Sequence, residues 1–179
     1  ATAAELATSL GVSQPTLSRA LTSLGAAIVK IGRGRATRYG LVKTRLGQPA
    51  RDPLFYIDAE GHAEQIAAVY RLESGETFVI GNSNQPWLMG ANQNGLFDDL
   101  PYYLFDMCPQ GYLGRLTARA LAPVWPADLM QWQTNHIADY LLTHGQDTPG
   151  NLVYGELRSS SPLKETPVAE NERARNYGN

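Results

Sequence analysis

The chain has 179 residues, 43% of them hydrophobic and 18% charged, which is enough apolar material for a packed core and sets an expectation of one or two domains. No stretch approaches the roughly 18 apolar residues of a membrane span, and the N-terminus carries neither the basic region nor the apolar run of a signal peptide, so a cytoplasmic protein without a membrane partner is expected. The single cysteine, Cys108, excludes an internal disulfide and a multi-cysteine zinc site. His62, His136 and His144 are spread too widely for a metal cluster.

The net charge of −2 hides a division. Residues 1–46 hold seven basic side chains (Arg19, Lys30, Arg33, Arg35, Arg38, Lys43 and Arg45) against the one acid Glu5, giving +6, and the remainder carries −8. Halves of opposite sign predict units with different partners, and the basic half suits a nucleic acid, because phosphate neutralisation supplies most non-specific affinity. The chain opens without Met, which sets the expectation that it begins inside a longer product or has been trimmed.

In chain order, Thr2-Ala3-Ala4-Glu5 has the spacing of a capping box and starts a helix to about Leu10, with Leu6 and Leu10 on one face. Gly11 suits the positive φ of a helix end and Val12 can plug the turn. Ser13 caps a second helix, whose first turn accepts Pro15 because that N–H is unpaired anyway. Leu17, Leu21 and Leu24 line it at i, i+4 and i+7 until Gly25. Two short helices joined by Gly-Val-Ser, apolar on matching faces, form a helix-turn-helix pattern. The run Glu5–Leu21 is similar to many bacterial transcription-factor readers. Ala27–Ile31 and Ala36–Val42 then flank Gly32-Arg33-Gly34-Arg35 as a hairpin that resembles the wing of a winged helix-turn-helix.

That resemblance implies double-stranded DNA as partner. The second helix presents Ser13, Gln14, Thr16, Ser18, Arg19 and Thr22, with Gln and Arg able to bond adenine and guanine edges, and Arg33, Arg35 and Arg38 can reach phosphates or a minor groove. The competing reading is a winged helix used for protein contacts. Winged helices usually have a further helix before these two, which the chain starts too late to contain. Self-association on palindromic DNA, as a homodimer, is a further expectation.

Leu46–Pro53 reads as a turn-rich linker. Leu54–Ile57 reads as a strand, Asp58–Gly61 as a turn, and Glu64–Leu72 as a strand with Ile66, Ala68, Tyr70 and Leu72 alternating inward. Glu73–Glu76 turns into a returning strand, Thr77–Ile80. Gly81–Gly95 is polar, with asparagines and glutamines around Trp87; an ordered loop is preferred over a sugar or nucleotide site. Asp98, Asp99 and Asp106 admit an acid–base pair but suit solvated helix-end charges better. Gly114–Leu121 and Asp128–His144 read as helices, the second with Leu129, Trp132, Ile137, Tyr140, Leu141 and His144 at helical spacing.

The segment Phe97–Arg115, containing Leu100-Pro101 and Pro109-Gln110-Gly111, resembles the N-terminal region of HipA-like kinases, and Asp139–Gly155 resembles that family's following segment. The resemblance covers roughly residues 54–157. It departs at Gln110, where Glu is usual, and at Pro149, where Ala or Cys is common. The whole arrangement resembles a subgroup whose kinase carries its own DNA reader. It implies a Ser/Thr kinase of a toxin–antitoxin system, with ATP and magnesium as cofactors of the full-length protein and a kinase core, of the same chain or a partner, against the second domain. No catalytic residue carries over, since residues 1–179 hold neither a phosphate loop nor a His-Arg-Asp motif, and Ser159–Ser161 lacks the glycine-rich surroundings of one. No cofactor or metal ligand is expected within this chain. A free-standing DNA-binding regulator of a separate kinase is the alternative.

The predicted fold class is therefore α+β: a winged helix-turn-helix over 1–46, a small antiparallel-sheet domain with helices over 47–157, and a polar connector or tail over 158–179.

Overall fold

The computed structural model describes residues 1–34, 37–82, 85–91, 93–122, 124–148 and 150–157, a mixture of helix and antiparallel sheet. Arg35 and Ala36 of the expected hairpin, Asn84 and Asn92 of the polar loop, Pro149 and the expected tail at 158–179 lie outside the described residues.

Helix α1 (Ala3–Leu10) begins as its capping box dictates: the Thr2 N–H donates to Glu5 Oε2 at 2.8 Å and the Glu5 N–H to Thr2 Oγ1 at 3.3 Å. The bond from the Thr2 N–H holds the exposed Glu5 carboxyl below its ordinary value. Gly11 closes the helix at φ 63°, a left-handed conformation that costs glycine little. Helix α2 (Gln14–Leu24) starts under Ser13, whose Oγ accepts from the Thr16 N–H at 3.4 Å. The pair is thinly packed. No side chain of α1 is fully buried, and only Leu17 of α2 is.

Strands β1 (Ile28–Ile31) and β2 (Arg38–Leu41) form an antiparallel hairpin with Ile28 opposite Leu41 and Ile31 opposite Arg38. The first residues of the chain lie along the free edge of β2: Thr2 bridges Arg38, and the Tyr39 N–H donates to Ala1 O at 2.7 Å.

The hairpin does not end in a linker. Val42 bridges Leu72, the Lys43 N–H donates to Arg71 O at 2.8 Å, and the Glu73 N–H donates to Leu41 O at 2.8 Å. Val29, Ile31 and Val42 share a buried cluster with Leu72 and Phe78. The stretch expected to be a turn-rich linker instead takes part in a tight hairpin, β3 (Thr44–Arg45) and β4 (Gln48–Pro49), around Leu46 and Gly47, both at positive φ. The next strand begins at once.

That strand is β5 (Arg51–Ile57), followed by β6 (Ala63–Arg71), β7 (Thr77–Gly81), β8 (Leu96–Phe97) and β9 (Leu152–Tyr154). They make an antiparallel sheet in the order β8-β7-β6-β5-β9. β6 does not bury alternate residues as the period-two reading predicts, because Ile66 to Val69 are all buried. The register slips at Ile66, where Leu54 pairs with Ala67 and Phe55 with Gln65, so that Ile66 and Ala67 both join Val69 and Val79 in the core under the helices, while beyond them Tyr70, Leu72 and Phe78 join the hairpin's cluster.

Helices α3 (Tyr102–Asp106), α4 (Gly111–Leu121) and α5 (Thr134–His144) supply Tyr103, Leu104, Ala118, Ile137, Ala138 and Leu141 to the larger core. The helix expected over 128–144 is broken. Leu129–Gln131 is a single 3-10 turn capped by Asp128, and Trp132 and Gln133 are extended. Two local bonds win over the helical period. The buried Trp132 indole N–H donates to Pro126 O at 2.9 Å, and the Gln133 N–H donates to His136 Nδ1 at 3.0 Å, restarting the helix with its own cap. Among the described residues, no helix is long and apolar enough to cross a membrane.

Candidate nucleic-acid interface

The α1–turn–α2 unit and the β1–β2 hairpin leave a groove of about 400 Å³ between them. Its wall on α2 is Gln14, Ser18 and Thr22, spaced at i, i+4 and i+8 so that they form one stripe. Leu17 and Leu21 form part of the lining, and Lys30 and Tyr39 of the hairpin line it as well. Gln14, Lys30 and Tyr39 also border an adjoining hollow of about 460 Å³ that reaches Gly34 and Thr37 at the hairpin turn. Lys30 and Tyr39 are placed there because they pair across β1 and β2. Only the hairpin register puts them beside the helix, and the chemistry of the sequence alone gave no signal for their role.

The other anticipated residues are placed differently. Ser13 and Thr16 bond each other at 2.9 Å at the start of α2, so their hydroxyls serve the helix cap. Thr22 Oγ1 donates to Ser18 O, and Arg19 Nε donates to Pro15 O at 3.4 Å, laying the guanidinium along its own helix. Arg33 stands exposed at the turn. Arg38 lies 3.6 Å from Glu76 in an ion pair that ties the hairpin to the sheet. Arg35 lies outside the described residues.

The second-domain candidates do not converge. Asp99 Oδ1 accepts from the Leu100 N–H at 2.7 Å and from Thr134 Oγ1 at 2.6 Å, the work of a structural bridge between loop and helix, while Asp98 and Asp106 are exposed. Amides of the Gly81–Gly95 segment bond inward: Asn82 to Gln65 O, Gln93 to Gly90 O, Asn94 to the Leu96 N–H, and Gln85 to the Trp87 indole at 2.7 Å. Trp87 itself packs edge-on against Tyr103. His62 bonds Asp58 at 3.1 Å, and His144 stacks on Tyr140. Among the described residues, no group of His, Cys, Asp or Glu is arranged to hold a metal ion.

A polar centre with no local signature in the chain lies where the two halves meet. Asp52 on β5 is 0% exposed, yet one carboxylate oxygen accepts from Tyr154 Oη at 2.9 Å and the other from Arg45 of β3. Burial, joined by the Asp52 charge, raises the Tyr154 hydroxyl well above its ordinary value, and the bond to Asp52 raises Arg45. Tyr154 and Asp52 are 102 residues apart, beyond the reach of any local pattern.

Comparison with known proteins places these features. Toxin YjjJ of Escherichia coli (strain K12) is 36% identical over 158 residues, an alignment that covers 84% of this chain and 33% of that protein. The chain thus spans about a third of the length of the curated relative it matches. A share of 84% cannot fit within residues 48–179, so the alignment extends into the basic N-terminal segment. No solved structure matches the chain. Residues 48–161 match the YjjJ-like toxin, middle domain, and the chain belongs to that toxin family.

Proposed function

We propose that this chain is the DNA-reading and regulatory part of a HipA-like Ser/Thr kinase toxin. Residues 1–46 act as a winged helix-turn-helix, 47–157 as the domain that packs on the kinase core, and 158–179 as the connector. The groove carries the reading: it sets the polar stripe of α2 beside a basic hairpin, as in proteins that lay a helix in a major groove and a wing on the adjacent backbone. Gln14, Ser18 and Thr22 face base edges, and Arg33, with Arg35 and Lys30, neutralises phosphates. Arg19 and Thr16 flank the stripe and Ser13 caps it. Arg38 contributes less than Arg33, because Glu76 already holds it. ATP and magnesium belong to the kinase core, of the same protein or a partner, and binding of a palindrome pairs two copies of the chain.

The test is fluorescence anisotropy with labelled duplex DNA from upstream of the gene, across a salt series. Each phosphate contact adds about −0.9 to the slope of log affinity on log salt, so Lys30→Gln/Arg33→Ala should flatten the slope by about 2. Gln14→Ala should lower discrimination between sequences without changing the slope. A folded chain that shows no salt-dependent binding, or a slope unchanged in the double variant, overturns the proposal.

A further inference from the structure

A second cleft, of about 660 Å³, opens at the junction of the halves, bordered by β3, β5, the end of β6 and α5. It holds an unusual arginine. Arg71 is 8% exposed, and its Nη2 lies 3.2 Å from one oxygen of Asp139, while Nε, out of water, has no partner among the described residues. An arginine fork is built to give two parallel bonds to one oxyanion, and here only half of that edge is used. Asp139 is half exposed on α5 and can turn to solvent. Lys43 Nζ reaches the same cleft bonded only to the neutral amide oxygen of Asn135, at 3.2 Å, and forms no ion pair among the described residues. The third cation, Arg45, is already neutralised by Asp52.

We infer that this cleft binds a small phosphate monoester, with the phosphate taken by the Nε–Nη2 edge of Arg71 and by Lys43 as it displaces Asp139. A dianion matches two cations that lack a full partner, and releasing Asp139 to water leaves both nitrogens of that guanidinium edge satisfied. The volume lies in the range of small-molecule sites, and Ala50, Pro53 and Leu142 give an apolar wall for the organic part of the ester.

Isothermal titration of the 179-residue chain with phenyl phosphate, and separately with inorganic phosphate, tests the site. Phenyl phosphate should bind more tightly than the bare anion. Lys43→Gln should weaken it about tenfold, the loss of one charge-assisted bond, with the melting temperature unchanged. Asp139→Asn, which removes the internal competitor, should tighten it. Lys30→Gln/Arg33→Ala, remote from the cleft, should leave it alone. No binding up to roughly 10 mM, equal affinity for the two ligands, or affinity unchanged in Lys43→Gln overturns the inference.

Discussion

Tyr154→Phe isolates one bond at the junction. The ring stays, so no cavity forms beyond the lost hydroxyl, and Tyr154 is 1% exposed, so water has no ready path to replace it. What remains is a fully buried Asp52 carboxylate with Arg45 on one oxygen and, among the described residues, nothing on the other. A buried acceptor stripped of its donor costs about 1–3 kcal/mol, and bonds to charged groups sit in the upper part of that range, so we expect a loss of about 2 kcal/mol. For a chain of this length that is a fall in melting temperature of about 4–8 °C. The assay is urea unfolding with thermal melts, using Tyr112→Phe, at an exposed site of α4, as the control expected to stay within about 0.5 kcal/mol. If Tyr154→Phe behaves like the control, the bond contributes nothing, and the account of Asp52 as a hydrogen-bonded buried charge is wrong.

Two further outcomes follow from backbone and burial. Gly95 sits at φ +72°, where an added Cβ would lie 2.1 Å from Val79 O, whereas Gly11, at φ +63°, has open space around it. Gly95→Ala should therefore cost more than about 3 kcal/mol, and Gly11→Ala only about 1 kcal/mol; equal denaturant midpoints would refute the steric argument. Burial pushes the Cys108 thiol up to about 11 and raises the Tyr103 and Tyr154 hydroxyls above 10.0, so the folded chain keeps all three neutral after the unfolded chain has begun to ionise. Their contribution is complete below the ordinary values and is lost as pH rises through the folded ones, so the urea midpoint should fall from about pH 9 upward; a midpoint constant to about pH 11 would contradict this.

The parts of the fold written in short patterns were legible in advance. Thr2 and Glu5, Gly11, Ser13 and Pro15 each fix a helix end through a bond or a dihedral that needs no distant partner. The β5–β6–β7 meander followed from turn residues and apolar runs. Errors arose where tertiary bonds compete with local period. The Asp128–His144 pattern is helical in spacing, yet the Trp132 indole bond to Pro126 breaks it. Alternation fails in β6 because the strand bulges at Ile66, between the pairs Leu54–Ala67 and Phe55–Gln65, so that the neighbours Ile66 and Ala67 both enter the larger core, a register that no window on residues 64–72 contains. The same limit hid Lys30 and Tyr39 at the groove, and Asp52, Tyr154 and Arg71 at the junction. In each case the chemistry rests on a partner distant in sequence. The common face of Gln14, Ser18 and Thr22 needs no distant partner, because the helix alone sets it.

The cluster of Val29, Ile31 and Val42 with Leu72 and Phe78 changes what counts as a portable piece of this protein. A cut at residue 46 looks clean on the sequence, but it would uncover Leu72 and Phe78, which are almost wholly enclosed, and leave a sticky edge prone to self-association. A transplant of the N-terminal segment onto a related toxin would succeed only if the recipient offers residues of matching shape at those two positions. Leu72 and Phe78 are thus heritable cargo of the N-terminal segment, although they lie 26 and 32 positions beyond residue 46, and they are the sites at which incompatibility between swapped halves would first appear.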